Sequence, residues 1–221
     1  MAVSAPRSHV RERYHKGLSK EDILDAALQI LRDGSLEDLT LARVAKLLGV
    51  SAPAVYHHFP NKDALLAATA ALGFKHLTSL YKEVASKQKD LNSWIRARGS
   101  VYIRFAFEES GLHQLMYRHR FADRKIYPEL MAAEDECFRS SVAHIADAKG
   151  RQPRQFFSHN SVTDFPVSMT IWSAFHGLAT LIADGHMKTP NQKTIDKLAA
   201  AIADVLTNGN EYEFVPEPDE D

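Results

Sequence analysis

The sequence predicts an all-α protein, and three observations carry that prediction. Apolar residues recur three and four positions apart through most of the chain. These windows open on Ser, Thr or Asn caps and close on Gly or Phe-Pro stops, and no stretch alternates polar and apolar residues as a strand would. The 221 residues are 45% hydrophobic and 25% charged, enough for a sizeable core under a soluble surface. The one cysteine, Cys137, excludes a disulfide framework and a Cys-rich metal site, and points to a reducing, cytoplasmic setting. No apolar segment follows the charges near residue 1, so no secretory signal is expected.

Taken in order, Ser19 with Asp22 makes a capping-box start, and Ile23, Ala26, Ala27, Ile30 and Leu31 follow on one helical face that Gly34 ends. Thr40 caps a short helix over "LARVAKLL", closed by Gly49. Ser51 caps a third, with Pro53 in its first turn where a missing N–H costs nothing, and Phe59-Pro60 stops it. Asn61 caps a long fourth helix, "KDALLAATAALGFKHLTSLYKEVASK". Further helices are predicted over Asn92–Glu109, Leu112–Phe121, Pro128–Ala148, Asp164–Ala183 and Asn191–Thr207, with residues 150–161 as a loop. Residues 165–183 are uncharged for about the length of a membrane span, but Ser168, Thr170, Ser173, His176 and Thr180 make a buried helix the better reading, and no membrane partner is expected.

The net charge of −1 is distributed unevenly. Residues 1–18 form a basic arm with Arg7, Arg11, Arg13 and Lys16, residues 40–62 carry Arg43, Lys46 and Lys62 without an acid, and residues 210–221 form an acidic, disordered tail. A positive N-terminal end on a near-neutral chain suits a polyanion.

The second and third helices have the features of a helix-turn-helix. Ala45 is the small residue facing the turn, Gly49 lets the helices cross closely, and Val44, Leu48, Val50 and Val55 supply the apolar contacts. In that motif the second helix enters the major groove, N-terminal residues first. The carboxylate-free "SAPAVYHHF", Ser51–Phe59, is what close approach to phosphates requires.

These residues resemble a family. "LTLARVAKLLGVSAPAVYHHFPNKDALLAA", Leu39–Ala68, is similar to the DNA-binding segment of TetR-type transcriptional regulators, and the resemblance runs from about Ser19 to Leu72. A second one lies in "IWSAFHGLATL", where Trp172-x-x-x-His176-Gly177 resembles the pattern that names the WHG subgroup of TetR-type C-terminal domains. The family implies a homodimeric helical regulator: a DNA-binding domain at 19–66 and a ligand-binding and dimerisation domain at 67–209. It also implies an operator of double-stranded DNA, near-palindromic, from which a small molecule releases a repressor. The family pattern puts Thr40, Tyr56, His57 or His58, and Lys62 on phosphates, with Ala42, Arg43, Ser51, Ala52, Pro53 and Ala54 near base edges. The alanines offer only methyl contacts, so Arg43 is the one long donor able to grip guanine, and shape readout or the basic arm would carry the remaining specificity.

Along the eighth expected helix Ile171, Phe175, Leu178 and Ile182 form a large apolar stripe, and Ser173, Gly177 and Thr180 a small-residue stripe nearly opposite. The small stripe, with Leu198, Ile202 and Val205 of the last helix, is the expected dimer interface. An apolar or aromatic effector is expected among Tyr102, Phe105, Met116, Tyr117, Phe138, Met169, Trp172 and His176. A cofactor or metal is not expected, since His113, His119, His144 and His176 have no ligand-motif spacing. An enzyme built on Ser173, His176 and Asp184 lacks a nucleophile elbow, and a non-specific architectural DNA protein is the other alternative.

Overall fold

Ser19 opens helix α1, Lys20–Asp33. Its hydroxyl accepts from the Asp22 N–H and its own N–H donates to the Asp22 carboxylate, both at 3.1 Å, so two otherwise orphaned donors are satisfied reciprocally. The structure is a computed structural model and describes residues 17–85, 87–148, 166–188 and 190–208. Arg7, Arg11, Arg13 and Lys16 of the basic arm, the loop expected at 150–161 and the acidic tail at 210–221 lie outside the described residues, as do the side chains of 141–148.

Gly34 follows α1 at φ −151°, ψ −142°, outside the left-handed region. The chain turns instead on Asp38, whose carboxylate accepts from the backbone N–H of Ser35 at 3.0 Å and its hydroxyl at 3.1 Å. Thr40 then caps α2, Leu41–Leu48, accepting from the Arg43 N–H at 3.1 Å. Gly49 closes it at φ 69°, ψ 28°, with Val50 N–H on the Ala45 carbonyl and Gly49 N–H on that of Lys46. This is a Schellman turn, and its left-handed residue is why glycine stands there. Ser51 occupies the N-cap position of α3, Ala52–His58, but contrary to expectation its hydroxyl makes no cap bond and stays exposed. Phe59 ends α3 in extended backbone, as a residue before proline must.

Asn61 caps α4, Lys62–Ala85, accepting from Ala64 N–H at 2.8 Å. Asp90 and Ser93 cap α5, Leu91–Glu108. The next helix differs from the predicted 112–121: α6 is Ser110–Tyr117. It starts at once because Glu109 makes only a kink, φ −114°, ψ 43°, and it stops early because the N–H groups of Arg118 and His119 both fold back onto the Gln114 carbonyl. A short 3-10 turn, Arg124–Ile126, leads to α7, Pro128–Ala148, then α8, Pro166–Ala183, and α9, Gln192–Asn208. Among the described residues there are nine α-helices and no strand.

Helices α1 to α3 pack on one another around Ile23, Leu39, Val44 and Val55, and this cluster runs without a break into the core under α4. Helix α4 lies against α5, α6 and α7, while α8 and α9 both pack on α5. Ser100 Oγ donates to Asp196 at 2.6 Å, and Asn92 Nδ2 donates to Asp204 and Thr207, each at 2.8 Å, fixing α9 on α5. Helix α6 touches α1 so closely that a Cβ on Gly111 would lie 2.5 Å from the Leu31 carbonyl oxygen, and Arg32 pairs with Glu109 beside it at 3.2 Å. No described helix is long and apolar enough to cross a membrane.

Candidate DNA-binding surface and effector cavity

Val55 and Phe59 are buried and anchor α3, which leaves the other side of that helix to solvent. Ser51, Pro53, Tyr56 and His57 are exposed, and Ala52, Ala54 and His58 are half-buried. Ala42 and Arg43 on α2 and Lys62 at the start of α4 are exposed, while Thr40 is half-buried at its cap. The Arg43 guanidinium is already engaged: Nη1 donates to Asp38 Oδ1 at 3.1 Å. Hydrogen bonds from Ser35 and then the Arg43 charge hold the Asp38 carboxyl below its usual range, so it stays an anion. Asp38 lies just before the acid-free stretch, and the turn that brings it back to Arg43 is what the sequence reading missed.

The interior between α4, α5, α7 and α8 holds a cavity of about 40 Å³ lined by Tyr81, Trp94, Arg98, Tyr102, Phe138, Ser168, Ile171, Trp172 and Phe175. Of the eight residues expected to meet an effector, Tyr102, Phe138 and Trp172 are in this wall. His176 and Tyr117 stand directly behind it: His176 stacks on Trp172 with ring centroids 4.7 Å apart, and the Tyr117 ring is 5.2 Å from His176. The other three are elsewhere. Phe105 faces His76 across a separate open groove, Met116 covers the backbone at Gly73, and Met169 does not line the cavity. In each case α5, α6 or α8 turns the side chain away because a helix shows one direction to one neighbour only.

The Tyr102 hydroxyl lies 2.9 Å from His113 Nε2 and 2.7 Å from His176 Nδ1. Burial, then the nearby His176 and Arg118, push the His113 pKa down to about 3, and burial followed by Arg118 lowers His176 as well, so both rings are neutral at neutral pH. Burial raises the pKa values of Tyr102 and Tyr117. Among the described residues no three His, Cys, Asp or Glu gather as a metal site. The Ser173, His176, Asp184 string does not assemble either: Asp184 pairs with Arg118 at 2.8 Å, and His176 Nδ1 is on Tyr102.

Arg98, Trp94, Tyr81 and Phe175 were missed as cavity residues. The signal was present, since Trp94, Arg98 and Tyr102 are four apart on one face of α5. Arg98 is 7% exposed, with its guanidinium carbon 3.4 Å from the Tyr81 ring centroid and 4.8 Å from that of Trp94. Its Nη1 donates to Ser140 Oγ at 3.4 Å, and burial lowers its pKa. Of the residues expected at a dimer interface, Ser173, Gly177 and Val205 are exposed, and Thr180, Leu198 and Ile202 half-buried. Leu181 is 47% exposed beside them, so α8 is covered on its large-residue stripe and open on its small one.

A helix-turn-helix with its second helix bare, joined through one core to a larger helical body, defines the class: a helix-turn-helix DNA-binding regulator. Residues 23–69 match the model of bacterial regulatory proteins of the tetR family, and residues 95–206 match that of the tetracyclin repressor-like C-terminal domain. The chain belongs to the TetR family of transcriptional regulators. It is 49% identical over 53 residues to tetracycline repressor protein class C of Escherichia coli, a match covering 24% of each chain and so about a quarter of that repressor's length. It is 27% identical over 150 residues to the HTH-type transcriptional regulator BetI of Pectobacterium atrosepticum, 60% of this chain and 76% of that one. In fold it resembles a protein of unknown function from Rhodococcus sp. RHA1, with a TM-score of 0.71 at 23% identity over 90% of this chain and 97% of that one.

Proposed function

We propose that this regulator is a homodimeric repressor that binds a near-palindromic operator and leaves it when a small molecule fills the cavity. The observation that carries the reading is the course of α4 and α6. Helix α4 begins at Lys62, directly after the recognition helix, and ends at Ala85 beside the cavity residue Tyr81. Helix α6 carries His113 and Tyr117 at the back of the cavity and Gly111 against α1. A ligand that prefers one arrangement of these helices must change DNA affinity, and DNA must change ligand affinity by the same factor.

In this reading residues 19–66 are the DNA-binding domain and 67–209 the effector and dimer domain, in a cytoplasmic protein. Thr40, Tyr56, Lys62 and either His57 or His58 contact phosphates, and Ala42, Arg43 and Ser51 to Ala54 face base edges. The stacked Trp172 and His176, with Gly177 turned outward, are what the WHG pattern supplies. The test is a titration of operator and random duplexes at several salt concentrations, with and without effector. A specificity ratio that survives at high salt and falls some 5- to 150-fold with effector, the usual size of such coupling, supports the proposal. Equal affinity for both duplexes would favour the architectural alternative, which the three methyl-only side chains Ala42, Ala52 and Ala54 allow.

A further inference from the structure

The segment between α6 and α7, residues 118–127, lies beside the start of α4. His119 Nε2 is 3.9 Å from Asp63 Oδ1, and Asp63 is the neighbour of Lys62 in the first turn of that helix. Burial, then the Asp63 and Asp123 charges, raise the Tyr127 pKa, so the far end of the segment is near Asp63 as well. Rings join the two ends: the Phe121 centroid is 4.6 Å from that of His119 and 5.5 Å from that of Tyr127, and Phe121 and Tyr127 both pack on the core. Between them the Asp123 carboxylate accepts from the Lys125 N–H at 2.9 Å and caps the 3-10 turn. The body thus holds a tied loop against the base of the reading head.

Four cations stand on this loop, Arg118, Arg120, Arg124 and Lys125. Two are neutralised, Arg118 by Asp184 and Arg124 by Glu134. The side chains of Arg120 and Lys125 are exposed and meet no carboxylate among the described residues. Position sets them apart from other exposed lysines such as Lys75 and Lys193: Arg120 follows His119 and Lys125 is two residues before Tyr127, so both flank the α4 turn that carries Lys62. Ile126, 63% exposed, is a single apolar side chain and makes no protein-docking patch.

We infer that residues 118–127 are a second DNA-contact surface, built on the body, and that Arg120 and Lys125 bind phosphates of the duplex held by the reading head. The inference rests on the proposed function only in taking Lys62 to face the phosphates. Phosphate contacts carry no base identity, so this surface adds affinity and salt dependence without sequence preference.

The probes are a duplex of several helical turns, selected from a random pool on the wild-type full chain, and a random duplex of equal length, each titrated at several salt concentrations. Arg120→Gln with Lys125→Gln is expected to lower the slope of log affinity against log salt by about two units per chain on both duplexes, since each phosphate contributes about 0.9, and to leave the ratio of the two affinities unchanged. Arg120→Lys with Lys125→Arg is expected to keep the slope, because the charges remain. Lys75→Gln with Lys193→Gln, which removes as much charge elsewhere, is expected to leave it unaltered. An iron chelate attached at Ala122→Cys is expected to cut the bound duplex, and one attached at Lys193→Cys is not, with Cys137 buried and spared from labelling. A full slope in the Arg120, Lys125 glutamine pair, an equal loss in the Lys75, Lys193 pair, or no cutting from position 122 would overturn the inference while DNA binding and its specificity stand. A wild-type chain that binds neither duplex would overturn the DNA reading and this inference together.

Discussion

At the scale of single residues, the proposed reading of bases rests on Arg43 and on its tether to Asp38. Arg43→Ala is expected to relax discrimination at one operator position by about 1 to 3 kcal/mol, measured by titrating single-base operator variants. Asp38→Asn removes both the tether and a negative charge near the phosphates. It should therefore blur the same position while raising affinity for random DNA. Lys62→Ala should weaken binding to every sequence alike and reduce the salt slope by about one unit. If Arg43→Ala and Lys62→Ala give the same pattern, the division into base and phosphate contacts fails. His113 carries a second prediction at this scale. Its folded pKa, near 3, lies below that of a free histidine, so the unfolded chain binds more protons between these values. The stability it contributes is fully present above about pH 6.5 and is lost as pH falls towards 3, with a slope approaching 1.4 kcal/mol per unit. Denaturant midpoints at pH 7.5 and 5.5 check this, and His113→Gln should flatten the difference. Identical midpoints in the wild type would contradict it.

At the scale of elements, Gly111 is a point of close backbone approach between α6 of the body and α1 of the reading head. Gly111→Val puts two methyl groups and a Cβ against the Leu31 carbonyl, which cannot retreat without moving α1. A loss of roughly 1 to 3 kcal/mol in stability, from a denaturation curve, and weaker operator binding in the folded fraction are expected. Helix starts were legible in the sequence wherever a local cap decides them, as at Ser19, Thr40 and Asn61, because cap and helix are three residues apart. Gly49 was legible for the same reason. The ends of α6 were not, since a kink at Glu109 and two N–H groups sharing the Gln114 carbonyl leave no sign in apolar spacing. A third of the cavity wall was legible. Tyr102, Phe138 and Trp172 are aromatic and were expected there, but Arg98 reads as a surface residue until Tyr81, from another helix, closes over it. Phe105 and Met116 looked equally suitable, and only the rotation of their helices excludes them.

At the scale of the whole molecule, the open small-residue face of α8 and the exposed Val205 of α9 lead to an expected two-fold dimer whose recognition helices sit about 34 to 36 Å apart, or a multiple of that. Gly177→Glu together with Ile202→Glu should give a monomer in sedimentation, with operator affinity reduced far more than affinity for a half-site. A wild-type chain that sediments as a monomer at micromolar concentration would refute the dimer. Helix α4, with its 24 residues, is a rod about 36 Å long. A tilt of only about 5° about its Ala85 end would carry the Lys62 end through about 3 Å, close to the 3.4 Å rise between neighbouring base pairs. Two such rods swinging oppositely in a dimer would put their reading heads out of step with the duplex by nearly two base pairs. In the proposed dimer, a change in angle of this size is thus enough to make one half-site inaccessible while the other is held.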